Sequence, residues 1–169
     1  FSGSDFTSAR LKTKDKFEFQ YGRVEMRAKL PTGGGTWPAF WMLGADIDSN
    51  PWPGAGEIDI MEHVGNEQDR IYSTLHFPGN SGGDSIGSST IISDVSEEFH
   101  VYEANWTANS IEFSVDGNVF YVFDNDPALP FNKDFFLLIN VAMGGNFGGT
   151  IDPAFEMSTL EVDYIRVYQ

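Results

Sequence analysis

Ser110-Ile111-Glu112-Phe113-Ser114-Val115-Asp116-Gly117-Asn118-Val119-Phe120-Tyr121-Val122-Phe123 alternates apolar and polar side chains on its first arm and breaks at Asp116-Gly117. Both turn residues tolerate positive φ, which a two-residue hairpin turn demands. The stretch therefore predicts two antiparallel strands, 110–115 and 118–123. The same period-2 pattern recurs outward along the chain, between short clusters of Gly, Pro, Asn and Asp. Helical periodicity is nearly absent. This pattern predicts an all-β domain built as an antiparallel β-sandwich.

Upstream, apolar residues alternate from Phe17 to Tyr21, Gly22 shifts the phase, and Val24, Met26, Ala28 and Leu30 then alternate against Arg23, Glu25, Arg27 and Lys29. A glycine at such a step predicts a bulge or bend. Further strands are expected at 37–43, 56–64, 70–77, 99–106, 135–143 and 159–168, the last alternating at Leu160, Val162 and Tyr164. Segments 78–89 and 144–153 are rich in Gly, Ser, Asn and Asp and read as loops bordering a cleft. Neither a repeat nor a dividing linker interrupts the 169 residues, so a single domain over 1–169 is expected.

Twenty-five acidic against ten basic side chains leave a formal charge of −15, which repels a phosphate backbone. No basic patch offsets it, so nucleic acid is not an expected partner. No apolar run approaches the ~20 residues that span a bilayer, and no membrane partner is expected. The absence of cysteine removes thiolate catalysis, disulfides and Cys-ligated zinc. The residues from Phe1 have no basic start followed by an apolar core, so a secretion signal would have been removed or would lie outside this sequence.

The chemical centre is Glu57-Ile58-Asp59-Ile60-Met61-Glu62. On a strand, Glu57 and Asp59 point to one face and Ile58 and Ile60 to the other. Strict alternation would turn Glu62 inward. An extra residue at Met61 or at Ile60, a β-bulge, would return Glu62 to the acidic face and align three carboxyl groups. Like charges so placed resist simultaneous ionisation, which leaves one group protonated near neutral pH. An acidic composition also scatters carboxylates over solvated faces, and spacing alone does not choose between the two.

The flanking residues do choose. Trp37-Pro38-Ala39-Phe40-Trp41-Met42-Leu43-Gly44, then Trp52-Pro53, then Gly56 and the acidic motif, resemble the laminarinase type of glycoside hydrolase family 16. Tyr21-Gly22-Arg23-Val24-Glu25, Thr74-Leu75-His76-Phe77-Pro78-Gly79, Asn140-Val141-Ala142-Met143-Gly144-Gly145-Asn146 and Val162-Asp163-Tyr164-Ile165-Arg166-Val167-Tyr168 follow in that family's order. The resemblance spans essentially the whole sequence. It implies a concanavalin-like jelly-roll β-sandwich whose concave sheet holds a β-glucan, and a secreted enzyme that cuts β-1,3-glucan internally with retention.

Carried over by motif, Glu57 would be the nucleophile, Asp59 its electrostatic helper and Glu62 the acid/base, with the two glutamate carboxyls roughly 5 to 6 Å apart. No cofactor would be required for the chemistry. Aromatic rings stack on the apolar faces of sugars, which makes Trp37, Trp41, Trp52 and Trp106 candidate platforms, each with a core role as the alternative. His76 resembles a cleft histidine that would bond Asp59 or a sugar hydroxyl. Asn140 shares a face with Phe136, Leu138 and Ala142, so its amide needs a partner, and substrate is one candidate. Arg23 reads either as a cleft donor or as part of a solvated face. His63 and His100 match no role and are expected to be structural. Asn105-Trp106-Thr107 is a glycosylation sequon, but it falls within an expected strand.

The resemblance also exposes a departure. Family members carry several dozen residues before the segment near Phe6, including a strand beside the carboxy-terminal one and part of a calcium site. Asp163 matches the acidic calcium ligand, but calcium takes six to eight oxygens, and the amino-terminal carbonyls are not in this sequence. A structural calcium is thus carried by the resemblance alone. The missing strand would leave a sheet edge open to a homodimer partner or to a complementing amino-terminal fragment. Lichenases, agarases and carrageenases share the fold, so mixed-linkage glucan, agar and carrageenan are alternative substrates. The six-residue motif with Met61 argues against lichenases. A non-hydrolytic carbohydrate-binding module is a further alternative, opposed by the intact acids.

Overall fold

Period-2 alternation pairs these strands into two antiparallel sheets whose apolar faces meet. The computed structural model describes residue 3 and residues 5–169. Its strands are β1 (Arg10–Lys12), β2 (Gly22–Lys29), β3 (Thr36–Gly44), β4 (Glu57–His63), β5 (Arg70–His76), β6 (Ile86–Ile91), β7 (His100–Trp106), β8 (Ser110–Val115), β9 (Asn118–Asp124), β10 (Phe135–Met143) and β11 (Glu161–Tyr168), with a short helix α1 (Gly145–Gly148) after β10. The six-stranded sheet runs β1-β10-β3-β4-β5-β6 and the five-stranded sheet β11-β2-β7-β8-β9.

The inward faces follow from the alternation. Phe40 and Met42 of β3, Ile58 of β4, Ile71 and Leu75 of β5 and Phe135 and Leu137 of β10 meet Val24, Met26 and Ala28 of β2, Tyr102, Ala104 and Trp106 of β7 and Ile111, Phe113 and Val115 of β8 in one core. Each such aliphatic or phenyl side chain contributes about 1.5–3 kcal/mol when fully buried, so the opposite face of β4 is free to carry polar groups. The hairpin forms as expected, with Asp116 at φ 50° and Gly117 at φ 76°. Gly22 lies at φ 130°, and a Cβ there would meet the Tyr168 carbonyl oxygen at 2.5 Å. The phase shift is therefore a bend that lets β2 pass the end of β11.

Four expectations change. Segment 17–21 is not a strand. Its register reduces to one bridge between Phe19 and Phe135, because β1 takes the edge position beside β10. Residues 86–89, expected in a loop, belong to β6, where Gly87 pairs with Thr74 and Ser89 with Tyr72. The loop after β10 contains α1. Clean alternation in β11 fails because the register shifts between Val162 and Tyr164. Val162, Ile165 and Val167 oppose Ala28, Met26 and Val24, while Tyr164 opposes Arg27 on the outer face.

β1 and β11 are edge strands on the same side of the sandwich. Leu11, Phe17, Ile139, Ile165 and Val167 line an open seam between them, with a volume of about 560 Å³.

Candidate active site

The acids stand on β4, third from one edge of the six-stranded sheet and flanked by β3 and β5. Opposite β3, Glu62 pairs with Ala39 and Met61 with Phe40, but Trp41 pairs with Asp59, so Ile60 is skipped. The bulge expected at Ile60 or Met61 is present, with Ile60 as the residue left unpaired opposite β3. On the other side, Ser73 of β5 stands opposite the two bulged residues, between the Asp59–Thr74 and Glu62–Tyr72 pairs. Its hydroxyl donates to the Ile60 carbonyl at 2.7 Å, which satisfies the oxygen the bulge takes out of the ladder. Ile60 and Met61 both enter the core. Glu62 thereby returns to the outer face with Glu57 and Asp59.

Each carboxyl group has its own partners. Trp52 Nε1–H donates to Glu57 Oε2 at 2.9 Å. Trp37 Nε1–H and the Thr74 hydroxyl donate to the two oxygens of Glu62, at 3.0 and 3.2 Å. His76 Nε2 lies 3.1 Å from Asp59 Oδ2 and 4.0 Å from Glu57 Oε1. Asp59 and Glu57 share a hydrogen bond.

Burial, which penalises the charged form, raises the pKa of all three acids. Asp59 is held well above the usual carboxylate range, first by burial and then by the charges of Glu62 and Glu57. Glu57 is pushed up to about 7 by burial, against the hydrogen bonds from Asp59 and Trp52. Between these two acids the proton belongs on Asp59, the more deeply buried group, and Glu57 accepts from both Asp59 and Trp52. That arrangement provides an anionic carboxylate beside a protonatable one, which is what covalent displacement with proton donation requires.

The acids open into a groove of about 810 Å³ lined by Trp37, Trp52, Tyr72, His76, Asn146 and Phe147, among others. Trp52 is 44% exposed, and Phe147 sits edge-on to both Trp37 and Tyr72. Trp41 faces the same side as the acids, beside Asp59 in register, and donates to Asn140 Oδ1 at 2.9 Å. The partner that Asn140 needed is thus Trp41.

Two substrate candidates are corrected. Trp106 is 0% exposed, bonds the Phe131 carbonyl through Nε1 and packs against Phe19, Tyr21 and Phe135. Its even position in β7 turns it into the core. Arg23 lies on the outer face of the other sheet, where it pairs with Glu25 and Glu103 and stacks on Tyr168. Two groups escaped the sequence reading. Thr74 was already signalled by its place two residues before His76 on an alternating strand. Arg10, whose guanidinium lies 4.6 Å over Trp41 and helps hold Glu57 ionised, sits on a three-residue strand too short to show a period.

Among the described residues, atoms of Glu57, Asp59 and His76 lie within 4.8 Å of one another. They already serve each other as hydrogen-bond partners, so the cluster is a polar chain rather than a metal set. Asp163 is the unmatched residue of the β11 bulge, and its carboxylate is occupied by Arg27 at 2.8 Å. It joins no other carboxylate or histidine cluster among the described residues. The residues present do not by themselves fit a calcium ion.

Residues 1–166 match the family model of the glycosyl hydrolases family 16. The chain belongs to that family. It is 42% identical over 184 residues to a β-glucanase of Rhodothermus marinus, covering 100% of this chain and 64% of the relative. It is 40% identical to glucan endo-1,3-β-glucosidase A1 of Niallia circulans, covering 98% of this chain and 27% of that protein. The X-ray structure of the laminarinase from Rhodothermus marinus superposes with a TM-score of 0.95 at 41% identity, covering 100% of this chain and 73% of that one. The sandwich is thus the jelly roll of this family, and the chain spans about two-thirds of the first relative's length.

Proposed function

We propose that this family 16 chain carries the catalytic machinery for retaining, internal hydrolysis of β-1,3-glucosidic bonds in laminarin-like glucans. The observation that carries the reading is the bulge at Ile60, which puts Glu62 on the face of Glu57 and Asp59. The names of the relatives support the substrate class, β-glucan.

In this mechanism the Glu62 carboxylic acid gives its proton to the glycosidic oxygen as Glu57 attacks the anomeric carbon, and the C–O bond to the leaving sugar breaks. A glycosyl ester on Glu57 results. Glu62, now a carboxylate, takes a proton from water, whose oxygen attacks the same carbon and releases Glu57. Two displacements restore the β configuration. Asp59 holds its proton toward Glu57 and limits charge build-up between the glutamates. Trp52, and Trp41 on the other side of the acids, serve as sugar platforms. Only side chains take part, so no cofactor is required.

A polymer of this kind lies outside cells, so we also infer a secreted protein. The open seam between β1 and β11 supports a further inference, that a complementing strand from an amino-terminal segment or a second copy pairs there. Sedimentation of the purified chain tests self-association.

The deciding experiment is release of reducing ends from laminarin, lichenan, agarose and carrageenan. Laminarin should be cut fastest, with an early fall in viscosity from internal cleavage. Preferential release from agarose or carrageenan would replace the substrate assignment, and binding of laminarin without hydrolysis would make the chain a binding module.

A further inference from the structure

His76 ends β5 with both ring nitrogens engaged. Nε2 lies 3.1 Å from Asp59 Oδ2. On the other side the backbone N–H of Gly82 donates to Nδ1 at 3.1 Å. Gly82 belongs to the loop between β5 and β6, which is closed by reciprocal bonds between Phe77 and Asn80 at 2.8 and 2.9 Å and by a 3₁₀ turn at Gly82–Asp84. It takes φ +60°, a conformation that L side chains rarely adopt.

A backbone N–H can only donate, so Nδ1 must present its lone pair. The proton of the neutral ring then sits on Nε2 and points at Asp59 Oδ2. An imidazolium would set Nδ1–H against the Gly82 N–H. The hydrogen bond between the two acids raises the pKa of Asp59 and lowers that of Glu57, so Asp59 is its donor and Glu57 its acceptor. Three hydrogen bonds therefore run one way, from Gly82 to His76, from His76 to Asp59 and from Asp59 to Glu57.

We propose that the Gly82 amide is a positioning group that fixes the tautomer of His76 and so the direction of this chain, which ends on Glu57 and keeps it the acceptor. The inference rests on the nucleophile role proposed for Glu57, but the tautomer itself is observable without turnover. The titratable groups facing the ring are Asp59 and Glu57, both from β4, and the indole of Trp52 lies 5.8 Å from it by centroids. Burial lowers the basicity of His76 in the same sense as the amide.

The test is long-range ¹⁵N–¹H correlation on the whole chain with labelled histidine. His76 should show a neutral ring protonated on Nε2 throughout the active pH range. Replacing the residue 82 amide by an ester, with glycolate in place of glycine, removes only the donor. The ring should then become protonated at higher pH, and the acid limb of kcat/KM on laminarin should move up with it. Should the ester disturb the loop, His76→Gln and His76→Leu carry the same question. The glutamine side chain of H76Q offers an N–H to Asp59 without titrating, and that variant should keep the position of the acid limb. The H76L variant offers no donor and should lose roughly two- to tenfold in kcat, the scale of one hydrogen bond between neutral groups.

An Nδ1–H tautomer or an imidazolium at neutral pH in the wild-type chain would overturn the proposal. So would an ester variant with an unchanged ring spectrum, or H76Q and H76L variants equally impaired. An Nε2–H ring that responds to the ester in a chain that cuts no glucan would uphold the polarity and strike only the activity.

Discussion

Replacing Glu57 by Gln should make the protein more stable, and only at neutral and alkaline pH. Burial lifts the Glu57 pKa from 4.5 to about 7, and each pH unit of such a rise corresponds to about 1.4 kcal/mol. The folded state therefore binds this proton more tightly than the unfolded chain by about 3 kcal/mol. Below pH 4.5 the carboxyl is protonated in both states and the two proteins should be equal. Between 4.5 and about 7 the wild type loses stability as the unfolded chain ionises first, and above about 7 the full penalty stands. The amide introduced by E57Q does not titrate, and its carbonyl oxygen can accept from the Trp52 N–H and from the protonated Asp59. Urea unfolding of both proteins at about pH 4, 6 and 8 should give a difference rising from near zero to about 3 kcal/mol, or roughly 6–12 °C in Tm for a chain of this size. A difference that did not change with pH, or none at the alkaline end, would refute the claim that burial of an ionised Glu57 destabilises the fold.

Trp37→Phe removes a donor that favours the Glu62 anion, so the Glu62 pKa should rise and the alkaline limb of kcat/KM should move to higher pH, read from a pH–rate profile. Trp52→Ala should weaken laminarin binding by ~1–3 kcal/mol per lost stacking platform, judged by the nearest scale of base stacking on aromatics, with a smaller effect on Tm. Trp106→Ala, in the core, should cost about 3–5 kcal/mol of stability by chemical denaturation. With an activated aryl β-glucoside, Glu62→Ala plus azide should give the β-azide, because the glycosyl ester on Glu57 still forms. Glu57→Ala plus azide should give the α-azide, and proton NMR distinguishes the anomers.

Strands were legible where their faces differ in polarity. In β2, β5, β7 and β8 one face enters the core and the other meets solvent or the groove, so alternation reports directly on burial. β1 and β6 were missed for opposite reasons. β1 is three exposed residues held at an edge by pairing with β10 alone. β6 is Ile-Gly-Ser-Ser-Thr-Ile, whose small side chains line the groove and so read as a loop. The bulge in β11 hid behind coincidence, since Tyr164 is aromatic and fits an apolar slot although the unmatched Asp163 has turned it outward.

At the site, the spacing of Glu57, Asp59 and Glu62 required one extra residue if the three acids were to act together, and that inference needed no partner strand. Locating the extra residue did need one. Ile60 and Met61 are both apolar and both end in the core, so hydrophobicity does not separate them. The separation comes from β3, where Phe40 pairs with Met61 and Trp41 with Asp59, while Ser73 of β5, thirteen positions downstream of Ile60, supplies a hydroxyl for the Ile60 carbonyl. The choice among tryptophans turned on the same distinction. Trp106 has a sequence context as polar as that of Trp52, yet its strand phase commits it inward, and phase was readable from Tyr102 and Ala104 on the same strand. Weighing each aromatic by the parity of its neighbours, before its likeness to a sugar platform, would have placed Trp106 in the core from sequence alone.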